Sequence, residues 1–381
     1  MWEMVNNRQL IVGTGKVEEA ANIVSWYGCK NVFFVVYDEN APVCGRLVAL
    51  LKDRGIGAVV YAAVRGEPDL HVINSGRDRF VAGGCDCTLA VGGGSVIDAA
   101  KAINMLAANG GMVEEYQMEG RQVLTPPSLF IAVPTTAGTG AEATKVAVVS
   151  NNDNGLKKSL YHTTMIADVT ILDADLTTAL PAPITAATGM DALSHGIESY
   201  VSMNATPLSE MYGLKTVELV AANLLTACSE PGNLTARENM LLASYFGGCA
   251  ISAGIGIAHI MAQPLGAMFG IPHGDACSIF LPLAMTFNLD HATAKYARLA
   301  EAMGAAVPGA SERDNALAAV EAVKRLRAAI GAPEKLAPYC GNTAPDLHFV
   351  VETVQRTTGH ITCNPRPVDQ SVFKDMFTQA M

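Results

Sequence analysis

The residues able to do chemistry in this chain gather in its second half. In Gly189-Met190-Asp191-Ala192-Leu193-Ser194-His195 a carboxylate and an imidazole stand four positions apart. On a helix that spacing puts both on one face, one turn apart. Further on, Gly254-Ile255-Gly256-Ile257-Ala258-His259 begins an apolar helical stretch. His273, in Ile271-Pro272-His273-Gly274-Asp275, is expected in the loop after it. One carboxylate and three imidazoles would fill four positions around a divalent ion, with room for water or substrate. Mixed N/O donors suit Fe(II), Zn(II), Co or Mn, and the donor types alone do not choose among them. Asp191 with His195 alone also reads as an ion pair on a helix surface. Adding His259 and His273, each among glycines in an apolar segment, puts the metal reading level with that one.

A second kind of chemistry lies in the first half. Thr88-Leu89-Ala90-Val91 runs into Gly92-Gly93-Gly94-Ser95, and Val96-Ile97-Asp98-Ala99-Ala100-Lys101 reads as the start of a helix. A strand, a glycine loop and a helix N-terminus make an anion site, because backbone N–H groups and the helix dipole face the ligand. Neither the G-x-G-x-x-G nor the P-loop pattern is present. A similar loop, Pro134-Thr135-Thr136-Ala137-Gly138-Thr139-Gly140, follows the apolar run ending at Val133. Its threonine hydroxyls suit a polar ligand lying across the backbone. Asp38 ends the run Val32–Tyr37. An acid there accepts ribose hydroxyls and repels a 2′-phosphate, which favours NAD over NADP; a turn-initiating Asp is the competing reading.

These residues need elements to position them. Apolar runs at Gln9–Val12, Asn31–Val36, Ala58–Tyr61, Thr88–Val91, Leu129–Val133 and Thr170–Leu172 alternate with amphipathic stretches at Lys16–Tyr27, Ala41–Arg54, Asp69–Ala82 and Val96–Asn109. Such alternation predicts β-α-β units and a mostly parallel sheet covered on both faces. After Pro181-Ala182-Pro183 only helical periodicity remains: Ile184–Val201, Pro207–Cys228, Leu234–Ala253, Ile257–Met268, Ala292–Met303, Glu312–Ile330 and Ala344–Thr358. The expected architecture is an α/β dinucleotide-binding domain over residues 1–182, then an all-helical metal-binding and catalytic domain over 183–381.

Composition narrows the function classes. The chain has 381 residues, half of them apolar and 16% charged, with a formal net charge of −10. An acidic chain without a basic tract argues against nucleic acid or an anionic membrane as partner. No apolar stretch reaches the roughly 20 residues of a membrane-spanning helix. The first residues, Met1-Trp2-Glu3-Met4, carry no apolar signal core, so the cytoplasm is the expected location. Nine scattered cysteines without a C-x-x-C pair read as reduced and mostly buried.

In these same segments the chain resembles the iron-containing (group III) alcohol dehydrogenase family. The matching blocks are Gly92–Lys101 (GGGSVIDAAK), Pro134–Glu142 (PTTAGTGAE), Ala186–Ser202 (AATGMDALSHGIESYVS), His259–Gly274 (HIMAQPLGAMFGIPHG) and Asn364-Pro365-Arg366-Pro367. They run in order through most of the chain. The resemblance implies an NAD(P)-binding α/β domain, a helical metal domain and a cleft between them. It puts Asp191, His195, His259 and His273 on the metal ligands. It puts Gly93, Gly94 and Ser95 on the pyrophosphate loop with Asp98 beside it, and Thr135, Thr136 and Thr139 on the second nucleotide loop. Asp38 falls on the position tied to NAD preference, and Lys158 looks like the lysine near the nicotinamide ribose. The implied cofactors are NAD(H) and Fe(II), with Zn(II) or another divalent ion as substitute.

The implied reaction is aldehyde–primary alcohol interconversion by hydride transfer, the metal acting as Lewis acid. A homodimer or a larger assembly of dimers is implied too. One departure stands out: many relatives read H-x-x-x-H-P-L-G, and here the second histidine is Gln263. Glutamine hydrogen-bonds but does not titrate, so a proton relay would need water, a ribose hydroxyl or His360. Two other readings stay open. One is a non-redox lyase of the 3-dehydroquinate synthase type using NAD and a metal. The other is a non-catalytic nucleotide-binding protein.

Overall fold

The structure, a computed structural model, describes residues 2–151, 156–340, 346–356 and 361–381. The first half alternates as its apolar runs predict: β1 (Gln9–Val12), α1 (Glu19–Trp26), β2 (Asn31–Val36), α2 (Pro42–Asp53), β3 (Gly57–Tyr61), α3 (Leu70–Ala82), β4 (Cys87–Gly92), α4 (Gly94–Asn109), α5 (Val113–Met118), β5 (Leu129–Pro134), β6 (Val146–Asn151), β7 (Leu156–Tyr161) and β8 (Val169–Leu172). Six of these strands form one sheet in the order β1-β8-β5-β4-β2-β3, every neighbouring pair parallel. β2 shows why an unbroken apolar run is right for this sheet. Its side chains alternate faces. Phe33 and Val35 join a core with Ile73 and Phe80 of α3 and Ile103 of α4. Val32, Phe34 and Val36 join another with Val24 of α1 and Leu47 and Leu51 of α2. Both faces of β2 are covered, which favours its unbroken apolar run.

The chain steps from β2 out to β3, then back across to β4 and on to β5. The direction therefore reverses between β2 and β4, the place where open α/β sheets bind ligands beyond their strand carboxyl ends. The antiparallel hairpin β6–β7 was not expected from the sequence. It is two-stranded, with Ala147, Val149 and Leu160 buried in the core beside α4, and a buried ion pair ties it to that helix. Asp98 Oδ2 accepts from the Val148 N–H at 3.0 Å. Lys101, 1% exposed, donates to Val146 O at 2.6 Å and Thr144 Oγ1 at 2.9 Å.

The second half is helical throughout its described residues: α6 (Ala182–Val201), α7 (Pro207–Ser229), α8 (Leu234–Ala250), α9 (Ile257–Phe269), α10 (His273–Asn288), α11 (Thr293–Ala302), α12 (Glu312–Ala329), α13 (Ala337–Cys340), α14 (Leu347–Arg356) and α15 (Gln370–Ala380). Short polar residues start several of them. The side chains of Thr206, Asn233, Ser311 and Asp369 accept from the first-turn N–H groups of α7, α8, α12 and α15. The chain folds as two compact units, 3–136 with 140–177, and 137–139 with 178–381. Among the described residues no single helix is long and apolar enough to cross a membrane.

Candidate metal centre and nucleotide loops

α6 is buried almost all round, which needs small residues where neighbours cross. A Cβ on Gly196 would lie 2.9 Å from Gly213 O of α7, and one on Gly213 would lie 2.8 Å from Gly196 O. This close crossing holds the face of α6 that carries Asp191, His195 and Glu198 in the helical core. All three are buried, so Asp191 and His195 are not a helix-surface pair. His259 follows Gly256, the N-cap of α9. His273 was expected in a loop, but it is the first residue of α10. Pro272 is the N-cap, its backbone still extended at ψ 134°, and the polar, glycine-containing start hid the turn from a periodicity reading. Gly274 lets α10 meet α6: a Cβ there would lie 1.9 Å from Ala187 O.

The packing converges three imidazoles on one carboxylate oxygen. Asp191 Oδ1 lies 3.7 Å from His195 Nε2, 3.4 Å from His259 Nε2 and 3.5 Å from His273 Nε2. The rings of His195 and His259 stack with centroids 4.7 Å apart. The His273 side chain is 42% exposed while the others are enclosed, so the open side of the centre lies at His273. Burial opposes charge on Asp191, yet the surrounding imidazoles hold it below the ordinary carboxylate range. Burial lowers His195 to about 4. It also works against His273, but Cys277 and Asp191 raise that imidazole to about 9.

Two participants escaped the sequence reading. Glu198 Oε2 lies 2.5 Å from His259 Nδ1, while Oε1 accepts from the Ala258 N–H at 2.7 Å. Glu198 thus accepts a hydrogen bond from Nδ1–H and leaves Nε2 facing Asp191, the orienting partner that metal-binding histidines usually have. Cys277, fully buried, places Sγ 3.7 Å from Asp191 Oδ1 and 3.7 Å from His273 Nε2. The signals were helical spacing: Glu198 is three residues after His195, and Cys277 four after His273.

An ion fits this cluster. Among the described residues His259 Nε2 is buried with no hydrogen-bond partner, a costly state for a polar atom that a bound ion would relieve. The carboxylate and imidazoles are the donor types divalent transition metals take.

In the first unit, the loops after β2, β4 and β5 leave the same end of three adjacent strands, Val36 aligning with Val91 and Val91 with Val133. Gly93 caps α4 without any side-chain cap, so the first-turn N–H groups are not taken by a capping side chain. Thr136 Oγ1 would lie 3.3 Å from a Cβ on Gly93, which brings Thr136 beside Gly93, Gly94 and Ser95. Thr135 is buried, its N–H bonded to Gly92 O at 2.9 Å. Thr139 falls with the helical unit instead. Asp98 turns inward to Lys101 and the hairpin, 3.5 Å from Lys101 Nζ. Asp38 lies just past β2 and caps its own loop, Oδ1 accepting from the Asn40 N–H at 3.0 Å. Gln263 is half-buried on α9, one turn after His259. The backbone of Lys158 pairs with Val149 in the hairpin; its side chain, and the whole of His360, lie outside the described residues.

With this arrangement in hand, comparison with known proteins identifies the class. The iron-containing alcohol dehydrogenase family model matches residues 7–174, and the C-terminal model of the Fe-containing alcohol dehydrogenase family matches residues 185–381. The chain is 36% identical over 332 residues to the 1,3-propanediol dehydrogenase of Citrobacter freundii, covering 87% of this chain and 85% of that protein. It is 32% identical over 326 residues to the NAD-dependent methanol dehydrogenase of Bacillus methanolicus, covering 85% of each. The crystal structure of a 1,3-propanediol oxidoreductase superposes with a TM-score of 0.95 at 31% identity, covering all of both chains. The chain belongs to the iron-containing alcohol dehydrogenase family. It is an oxidoreductase of alcohols and aldehydes whose cofactors are NAD(H) and iron. The lyase and non-catalytic alternatives find no support in these matches.

Proposed function

We propose that the chain interconverts a short-chain aldehyde and its primary alcohol, with NADH preferred over NADPH and reduction favoured near neutral pH. The observation carrying this is the convergence of three imidazoles on Asp191 Oδ1, with His259 Nε2 buried and without a hydrogen-bond partner among the described residues. The bound groups supply Lewis-acid polarisation of the C–O bond by the ion and hydride exchange by the nicotinamide. Asp191, His195, His259 and His273 would hold the ion. Asp191 supplies the fixed negative charge, and Glu198 fixes the tautomer of His259. Burial of Asp191, His195 and His259 keeps water from three sides, leaving the His273 side for substrate. Gln263 hydrogen-bonds without titrating, so protons exchange with water.

Gly93, Gly94 and Ser95 at the N-terminus of α4 would take the pyrophosphate, with Thr135, Thr136 and Thr139 along the second loop. Asp98 supports the loop through the hairpin, and Lys158 belongs to the nicotinamide end. Asp38 would accept the adenosine ribose. Relatives named for 1,3-propanediol and methanol support a small primary alcohol as substrate. The proposal extends to a cytoplasmic homodimer, or a larger assembly of dimers, that engages neither nucleic acid nor membrane. Nine free cysteines and a net charge of −10 support that placement.

The test is NADH and NADPH oxidation by anaerobically purified, Fe(II)-loaded protein. The panel holds neutral, hydroxylated and anionic short aldehydes, with a chelated control. Metal-dependent turnover preferring NADH is the expected result. No turnover on any aldehyde, with metal and NADH both bound, overturns the proposal.

A further inference from the structure

The cluster around Asp191 contains a donor that the mechanism above does not use. Cys277 sits one helical turn after His273 on α10, fully buried, with Sγ 3.7 Å from both Asp191 Oδ1 and His273 Nε2. The ligand atoms of Asp191, His259, His273 and Cys277 all lie within 4.8 Å of one another. His259 Nε2, buried and without a hydrogen-bond partner among the described residues, points into the same space at 3.4 Å from Asp191 Oδ1.

These spacings are informative. An ion with bonds of ~2.1 Å to nitrogen or oxygen and ~2.3 Å to sulfur, in a shell of more than four positions that leaves room for substrate, sets its neighbouring ligand atoms roughly 3.0–3.6 Å apart, and the donors here lie within or just beyond that range. The separations from Asp191 to His259, His273 and Cys277 are 3.4, 3.5 and 3.7 Å, and that from Cys277 to His273 is 3.7 Å. At these distances the thiol donates to Asp191 Oδ1 and faces His273 Nε2, so its sulfur is aimed at the ligand atoms rather than merely packed among apolar neighbours.

We propose that Cys277 is a further ligand of the ion held by Asp191, His195, His259 and His273, so that the centre carries a thiolate as well as its carboxylate and imidazoles. The proposal rests on the metal-dependent reading given above. On binding, the S–H bond breaks, its proton leaves to solvent, and a sulfur lone pair forms the metal–sulfur bond; no electron is transferred. A soft sulfur donor biases the site toward Zn(II) and Fe(II) and away from Mg(II) and Mn(II). A second anionic ligand also offsets more of the ion's charge. Cys277 is then the residue that sets which metal the protein retains.

Co(II) titration of the metal-free, reduced protein tests this without measuring turnover. Thiolate ligation gives an intense near-ultraviolet sulfur-to-cobalt charge-transfer band beside the weaker visible d–d bands. Both are expected in the unaltered protein, the first lost and the second retained in Cys277→Ser. X-ray absorption of the Zn(II) form should show a sulfur shell at about 2.3 Å. Cys277→Ser should bind Zn(II) at least roughly tenfold more weakly, since even outer partners of metal ligands are worth 10–100-fold. Visible d–d bands without the charge-transfer band in the unaltered protein would overturn the proposal and leave the metal-dependent reading standing. No Co(II) binding at all would overturn both. The spectrum of the unaltered protein decides the matter even where the serine variant does not fold.

Discussion

Glu198 illustrates how little a single residue's neighbours reveal of its role. In sequence it sits between Ile197 and Ser199, with nothing to separate it from a solvated helix acid. Its position against His259 depends on Gly256, whose missing Cβ would otherwise lie 2.8 Å from Glu198 Oε1. That dependence joins residues far apart in the chain, so the spacing of Glu198 three residues after His195 hints at a shared helix face but not at His259 as its partner. The Asp191–His195 pair was legible because i and i+4 share a helix face whatever surrounds the helix. Replacing Glu198 with Gln should weaken Fe(II) or Zn(II) binding 10–100-fold, measured by metal titration on folded protein. Unchanged affinity would reduce Glu198 to a partner of the Ala258 N–H. Asp38 gives a second test at this scale. Asp38→Gly should raise kcat/KM with NADPH relative to NADH by at least about tenfold. An unchanged ratio would leave Asp38 with its loop-capping bond to Asn40 alone.

At the scale of elements, what the sequence disclosed follows burial. The six strands of the parallel sheet were readable because two-sided burial demands unbroken apolar runs. β6 and β7 were not, since Ser150, Asn151, Lys157 and Lys158 interrupt them, and their anchor is the buried Lys101 of another element. The start of α10 was hidden for a different reason: its first turn is chosen for packing. With a Cβ at residue 274 only 1.9 Å from Ala187 O, Gly274→Ala must push α10 away from α6. Overpacking of this kind costs about 1–3 kcal/mol or more. Because His273 and Cys277 ride on α10, metal affinity should fall with stability. A variant that loses stability but keeps full metal affinity would show that the ligands tolerate movement of the helix.

At the scale of the whole molecule, one buried acid should mark the pH dependence of stability. Glu142 is 1% exposed, and burial raises its carboxyl to about 7, with Lys101 only partly opposing. Unfolded, a glutamate titrates near 4.3. Between these values the folded protein holds a proton that the unfolded chain has released. Stability from this group is therefore fully present below the unfolded value and falls as pH rises through about 7, by on the order of 3 kcal/mol in all. In Glu142→Gln this loss should vanish: urea midpoints compared at pH 5 and pH 8 should fall less in the variant than in the parent. Equal falls would place the proton elsewhere.

The strand order carries a consequence for synthesis. Among the described residues β1 pairs only with β8, and Asn7 bonds to Ala167 across 160 positions of chain. At ~5–20 residues per second, β1 leaves the ribosome roughly 10–30 s before its partner is made. Until β8 arrives, the β5 edge that it will cover offers bare N–H and C=O groups to any passing strand. The nascent first half is thus at its most vulnerable just before residue 169 emerges, and a holdase that shields the β5 edge should raise the yield of native protein most in that interval.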